Sequence, residues 1–185
     1  DIKKAGNPNA YNREPFSKTE VAKLWDVKDS NIYYTVILML IYSGCRIGEL
    51  LDLKKENVNL EERYFKIVAS KTAAGIRTAP ISEKVYPFFE YWYNLNDCEY
   101  LLSTPEGEHF KYRNYYDSYW SPLIETLGMK HRPHDTRHTC ISMLTVAGVS
   151  DKVIKKIVGH KGQGVTEVVY THFEIEELID AINKI

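Results

Sequence analysis

His134-Asp135-Thr136-Arg137-His138-Thr139, read H-D-T-R-H-T, follows Pro133 and leads into the apolar positions Cys140, Ile141, Met143, Leu144 and Val146. A proline at or just before the first helical position favours a helix start, so a helix is expected from about His134. On that helix His134, Arg137, His138 and Ile141 fall at i, i+3, i+4 and i+7 and share one face. A helix N-terminus favours anions and a guanidinium forks onto two oxygens, so this face suits a phosphate. Taken alone, the fragment reads equally well as a surface helix with a satisfied histidine. The rest of the chain decides between the two.

Downstream, Gly148 ends the helical pattern and Ser150 can cap the next helix. From Asp151 to Val158, Val153, Ile154, Ile157 and Val158 face inward, while Lys152, Lys155 and Lys156 face out. Gly159 sits where a helix turns back through a left-handed residue, which aims His160 toward the H-D-T-R-H-T helix. A polar stretch leads to Val168-Val169-Tyr170-Thr171-His172. The last helix, from about Glu174 to Ile185, carries Ile175, Leu178, Ile179 and Ile182 on one stripe. That stripe can pack on its own domain or dock on a neighbouring subunit.

Upstream, residues 1–13 are polar, with three asparagines, Gly6 and Pro8, and read as a linker. Ser17-Lys18-Thr19-Glu20 is a capping box before Val21, Leu24 and Trp25. A helix from about Asn31 to Tyr42 is apolar nearly all round, which predicts a central buried position. Ser43 and Gly44 break it. A short helix follows in C-R-I-G-E-L-L-D-L, with Arg46 in its first turn and Glu49 three residues on. The period then changes to two: Tyr64 to Val68 and Ile76 to Ile81 read as a β-hairpin, and Val58-Asn59 can add a third strand. Lys71 falls where the first strand meets the turn, and Gly75 is expected to be left-handed. Helices are expected from about Glu83 to Leu95 and from about Arg113 to Leu127.

The chain of 185 residues is long enough for one domain with a sizeable core, and its composition is ordinary for a globular protein, 44% hydrophobic and 26% charged. The longest apolar run, Val36 to Tyr42, is too short to cross a membrane. Cys45, Cys98 and Cys140 form no CxxC pair and read as reduced thiols of a cytoplasmic protein. The net charge of −1 does not advertise a nucleic-acid binder, but it is unevenly spread. Between Lys130 and Lys161 basic residues face only Asp135 and Asp151, whereas Glu83 to Glu108 is acidic. A local basic surface can hold a polyanion on a neutral protein.

These motifs occur in order: the arginine of S-G-C-R-I-G-E-L, a hairpin lysine, H-D-T-R-H, a G-H after a short basic helix, and the tyrosine of V-V-Y-T-H. Together they resemble the catalytic domain of the tyrosine recombinases, the phage and conjugative-transposon integrases, from about Pro15 to the C-terminus. The resemblance implies an α+β, mainly helical fold with a small antiparallel sheet. Residues 14–185 would be the catalytic domain, and 1–13 a linker from an upstream DNA-binding domain absent here. It implies site-specific recombination of a mobile element without metal or other cofactor, through a 3′-phosphotyrosyl intermediate. The expected partner is a double-stranded recombination site, with a tetramer on synapsed DNA, a monomer in isolation and no membrane.

The roles carry over position by position. Arg46 and Arg137 match the two arginines, Lys71 the hairpin lysine, His134 the histidine of the H-x-x-R pattern, His160 the later histidine, and Tyr170 the nucleophile. Tyr170 lies one residue further from His160 than is usual in the family. Arg77, Arg132 and Lys161 are the expected additional DNA contacts. A phenol with a pKa of about 10 attacks poorly at neutral pH without help. The arginines would stabilise charge building on the phosphate, His134 would take or support the tyrosine proton, Lys71 would protonate the leaving 5′ oxygen, and His160 would donate to a phosphate oxygen. His138 and His172 are assigned no chemistry.

Two other readings compete. His134-Asp135 resembles the dyad of a metal phosphohydrolase, which needs further histidine and aspartate ligands, and an arginine inside the motif disfavours a cation. A non-catalytic DNA-binding module on the same fold would not need every catalytic position filled. On the recombinase reading Asp135 is a helix-start charge turned away from the site.

Overall fold

The computed structural model describes residues 14–160 and 172–185. Helix α1 (Lys18–Val27) starts at the expected capping box. The Ser17 hydroxyl accepts from the Glu20 amide at 3.1 Å, and Glu20 Oε1 accepts from the Ser17 amide at 2.9 Å. Helix α2 (Tyr33–Ile41) buries every one of its residues. A helix apolar on all sides must be enclosed, and α2 is the axis on which the others pack.

After α2, Gly44 reverses the chain into α3 (Ile47–Leu51). Its φ is +69°, and a Cβ there would come 2.6 Å from Val158 Cγ1 and 3.2 Å from Cys140 Sγ. Only glycine fits both the left-handed backbone and the close approach. Gly44→Ala is therefore expected to destabilise the fold by about 2 kcal/mol or more, read as a lowered urea midpoint with unchanged slope.

Three antiparallel strands follow, β1 (Val58–Asn59), β2 (Tyr64–Ile67) and β3 (Arg77–Pro80), in that spatial order. Phe65 pairs with Ala79 and Ile67 with Arg77. Phe65 and Ile67 are buried and Lys66 is exposed, the alternation of a sheet with one face on the core. The ladder is shorter than the sequence suggests. Val68 and Ile76 are exposed and belong to the connecting loop. Gly75 corrects the expectation of a left-handed turn. It lies in a 3₁₀ turn, Ala73–Gly75, with ordinary negative φ. What it needs is space, because a Cβ there would fall on the Ser70 side chain.

Helix α4 (Tyr86–Asn94) packs on α2. The aromatic helix expected near 113–127 is built from α5 (Tyr112–Tyr115), a π-helical turn at Tyr116–Trp120 and α6 (Ser121–Thr126). The Ser121 amide bonds to Tyr116 O, five residues back. Pro122 follows and has no amide to continue the regular ladder, which is where a wide turn is tolerated. Helix α7 (His134–Val146) also packs on α2, and α8 (Asp151–Val158) is capped by the Ser150 hydroxyl accepting from the Val153 amide at 3.3 Å. Gly159 closes α8 at φ +71°, as its position in the sequence predicts.

Helix α9 (His172–Ile182) packs on β3 and α8, with Leu178 and Ile182 fully buried. Burying such a side chain contributes about 1.5–3 kcal/mol. Its apolar stripe packs within its own domain, the first of the two placements expected for it. Lys156 Nζ pairs with Glu174 Oε1 at 2.6 Å and fastens the first turn of α9 to α8. Among the described residues no helix is long and apolar enough to cross a membrane.

Candidate active site

A cleft of about 630 Å³ opens between α3, the β2–β3 loop and the start of α7. Its walls bring together Arg46, Lys71, Arg132 and His134, residues separated by up to 88 positions in sequence (134 − 46). Arg132, His134 and Lys71 are exposed at the cleft, and Arg46 is partly buried. Tyr112 of α5 is the described tyrosine that lines the same cleft, a position that periodicity alone could not reveal. Tyr115, three residues on, is fully buried and its phenol is pushed far up by desolvation.

Arg46 is the N-cap of α3, one position before the first turn expected for it. The Glu49 side chain reaches back to the Arg46 amide at 2.9 Å. The expected Arg46–Glu49 ion pair exists at 3.6 Å, but Glu49 is held chiefly by Arg77. Arg77 Nη1 and Nη2 fork onto the two Glu49 oxygens at 2.8 and 3.1 Å. Burial works against the Glu49 carboxylate, yet the bonds and charge of Arg77, with the amide and charge of Arg46, hold its pKa below the usual range.

Arg77 is a correction to the reading of the sequence. It was expected to contact DNA, but it is 3% exposed. Besides Glu49, it donates to Ile157 O at 2.9 Å and Gly75 O at 2.6 Å. A guanidinium spent on a buried carboxylate and two carbonyls is an internal tie between α3, the hairpin loop and α8.

Arg137 is 2% exposed. Its Nη1 donates to Gly44 O at 3.1 Å and to Val158 O, so the turn after α2 and the end of α8 aim the side chain. Its Nη2 is buried and makes no hydrogen bond, and the same is true of Arg46 Nη1. Desolvation, followed by the positive charges of Arg46 and Arg77, pushes the Arg137 pKa down to about 10. Like charges gathered in this way, with buried N–H groups left over, form a receptor for an anion.

His134 stands at the first turn of α7 with the His138 ring against it, centroids 4.9 Å apart and planes at 80°. His138 thus supports the orientation of His134. Lys71 lies exposed on the β2–β3 loop and lines the cleft. His160 is exposed just past α8, where Gly159 abuts Arg77 and Ala74; it is not among the residues lining the cleft. Tyr170 and Lys161 lie outside the described residues.

The H-D pair diverges. His134 faces the cleft, whereas Asp135 is fully buried, with Oδ2 2.9 Å from His131 Nδ1 and 3.1 Å from the Arg132 amide. Asp135 does start the helix and does point away from the cleft, but it is an interior charge with a partner that the sequence reading overlooked. A metal dyad would require the two side chains to converge. Cys45 and Cys140 are buried thiols whose pKa values are raised by desolvation, Cys140 to about 12, so neither offers a nucleophile.

A mainly helical domain thus brings Arg46 at the start of α3 and His134 at the start of α7 to one cleft, while Arg137 is not among the residues that line it. The profile of the phage integrase family matches residues 16–177, and the chain belongs to that family. The chain is 29% identical over 191 residues to the tyrosine recombinase XerA of Pyrococcus horikoshii, covering 100% of this chain and 66% of the relative. Its fold is shared with the Tn1549 transposon integrase solved with circular-intermediate DNA, at TM-score 0.72 and 20% identity over 83% of this chain and 60% of that one. A lambda integrase tetramer bound to a Holliday junction shares it at TM-score 0.65 and 15% identity, over 86% and 50% of the two chains. The chain spans just under two thirds of the length of the XerA relative.

Proposed function

We propose that residues 14–185 form the catalytic unit of a tyrosine-type site-specific recombinase that breaks and rejoins DNA of a mobile element without metal. One observation carries this reading: the buried nitrogens Arg46 Nη1, 3.6 Å from Glu49, and Arg137 Nη2 make no hydrogen bond among the described residues, and they belong to the two arginines that the family resemblance pairs. A scissile phosphate offers two non-bridging oxygens that would satisfy both.

In this reading Arg46 and Arg137 hold those oxygens and take up charge as the phosphorus becomes five-coordinate. Tyr170 Oη attacks phosphorus, the P–O5′ bond breaks, and a 3′-phosphotyrosyl ester forms. The tyrosine proton passes toward His134, and Lys71 gives a proton to the departing 5′ oxygen. His160 donates to a phosphate oxygen. Arg132, at the cleft rim, and Lys161 contact neighbouring phosphates. The ester keeps the bond energy, so a 5′ hydroxyl reseals the strand by the reverse step. The partner is duplex DNA carrying the recombination site. The tetramer named for lambda integrase supports assembly of four subunits on two synapsed sites, in the cytoplasm.

The test is a suicide duplex nicked near the crossover of the cognate element ends. The intact protein is expected to form a denaturant-stable adduct with it, and Tyr170→Phe to form none. An adduct that persists in the variant would reassign the nucleophile, with Tyr112 the first candidate because it lines the cleft. Strand cleavage that leaves no adduct and is abolished by chelator would favour the metal phosphohydrolase.

A further inference from the structure

A buried histidine lies beneath the start of α7, outside the phosphate clamp. The His131 side chain is 7% exposed and sits between carboxylates from two different helices. Its Nδ1 is 2.9 Å from Asp135 Oδ2, and its Nε2 is 3.1 Å from both Glu20 oxygens. Phe16 stacks on the ring at 3.9 Å between centroids, and the Trp120 indole donates to the His131 carbonyl at 2.9 Å. An ionised carboxylate only accepts hydrogen bonds. A ring between two ionised carboxylates satisfies both only by donating from both nitrogens.

We propose that His131, as an imidazolium bridging Glu20 and Asp135, is a positioning residue that fixes the first turn of α7 and so the placement of His134 and Arg137. The inference rests on the recombinase reading. Helix α7 has no side-chain cap of its own at Pro133. Its first turn is instead held through Asp135, which takes the Arg132 amide and the His131 ring together. On the other side, Glu20 is already fixed, because it closes the capping box of α1 with Ser17. His131 thus ties the most rigid point of α1 to the residue between His134 and Arg137. Burial opposes the Glu20 charge, but the Ser17 amide and the bond and charge of His131 outweigh it and lower the Glu20 pKa, as an ionised bridge requires. Bonds between charged partners are about twice as strong as neutral ones, so this bridge resists the small rotations that would misaim both groups.

The experiment compares the intact protein and its His131→Gln variant on the nicked duplex, with DNA affinity measured separately. Glutamine can donate to one carboxylate but cannot bridge two. Adduct formation in a single turnover is expected to slow about 10²-fold, since a misplacement of about 1 Å costs that much. The dissociation constant for DNA should stay within about twofold, because phosphate contacts elsewhere are intact. Combining Glu20→Gln with His131→Gln should be no slower than the worse single change, because both break one bridge. An unchanged rate, additive losses, or rate and affinity falling together with the melting temperature would each overturn the proposal. Nitrogen-detected NMR of the His131 ring in the unsubstituted protein is independent of how the variant folds. Protons on both ring nitrogens at neutral pH support the bridge, and a singly protonated ring overturns it. A lack of adduct with the unsubstituted protein would instead bring down the recombinase reading itself.

Discussion

Replacing Arg137 with lysine is expected to slow adduct formation about 10²–10³-fold while leaving the melting temperature nearly unchanged. The two ends of the guanidinium do different jobs. Nη1 is tied to Gly44 O and Val158 O, and a lysine ammonium can occupy that position and keep those carbonyls satisfied. Nη2 makes no hydrogen bond among the described residues, and on the proposed function it is the nitrogen that meets the phosphate. A lysine has no second, rigidly directed donor to replace it. Cleavage and stability therefore separate, and single-turnover rates alongside thermal melts would show it. A melting temperature falling as steeply as the rate would mean that Arg137 is a structural tie and not half of a clamp.

The second large effect is on stability. Arg77→Met is expected to destabilise the fold by about 3–5 kcal/mol, because it leaves the Glu49 carboxylate buried without its fork partner. Domains of this size have about 5–15 kcal/mol in total, so the loss should be plain in urea denaturation. The pair also sets an acid limit. Glu49 titrates below the ordinary carboxylate range, so its contribution is present above the unfolded pKa of about 4.3 and fades as pH falls through the lower folded value. The unsubstituted protein should weaken on acidification in that window, whereas the Arg77→Met protein should lose that slope. An equally steep acid dependence in both proteins would show that Glu49 is not its source.

Much of the architecture was legible in the sequence because it follows from local rules. The Ser17–Glu20 box, the all-apolar α2, the Pro133 start of α7 and the glycine after α8 each express short-range physics. The resemblance to integrases likewise placed Arg46, Lys71 and His134, and the cleft does bring these three together. What the sequence withheld was non-local. Arg77 looks like any basic residue on a hairpin, and only the packing of α3 and α8 against β3 reveals that its partners are Glu49 and Ile157. His131 falls outside every motif, and its carboxylates lie 111 and four positions away. Gly75 was assigned a conformation when its requirement is room for Ser70. The preference for a left-handed residue is a property of turns in general, whereas a crowded neighbour is a property of this loop alone.

The fork between Arg77 and Glu49 also sets the electrical balance of the buried cluster beside the cleft. Three guanidinium groups, of Arg46, Arg77 and Arg137, interact electrostatically around one carboxylate, Glu49, which leaves a surplus of two positive charges (3 − 1). A phosphodiester brings one negative charge, and attack by a deprotonated phenol raises it to two. On the proposed function, the surplus of this cluster alone exceeds the charge of the bound diester and equals that of the five-coordinate species. Had Glu49 been uncharged, the surplus of the cluster would have been three, one more than the proposed five-coordinate species carries.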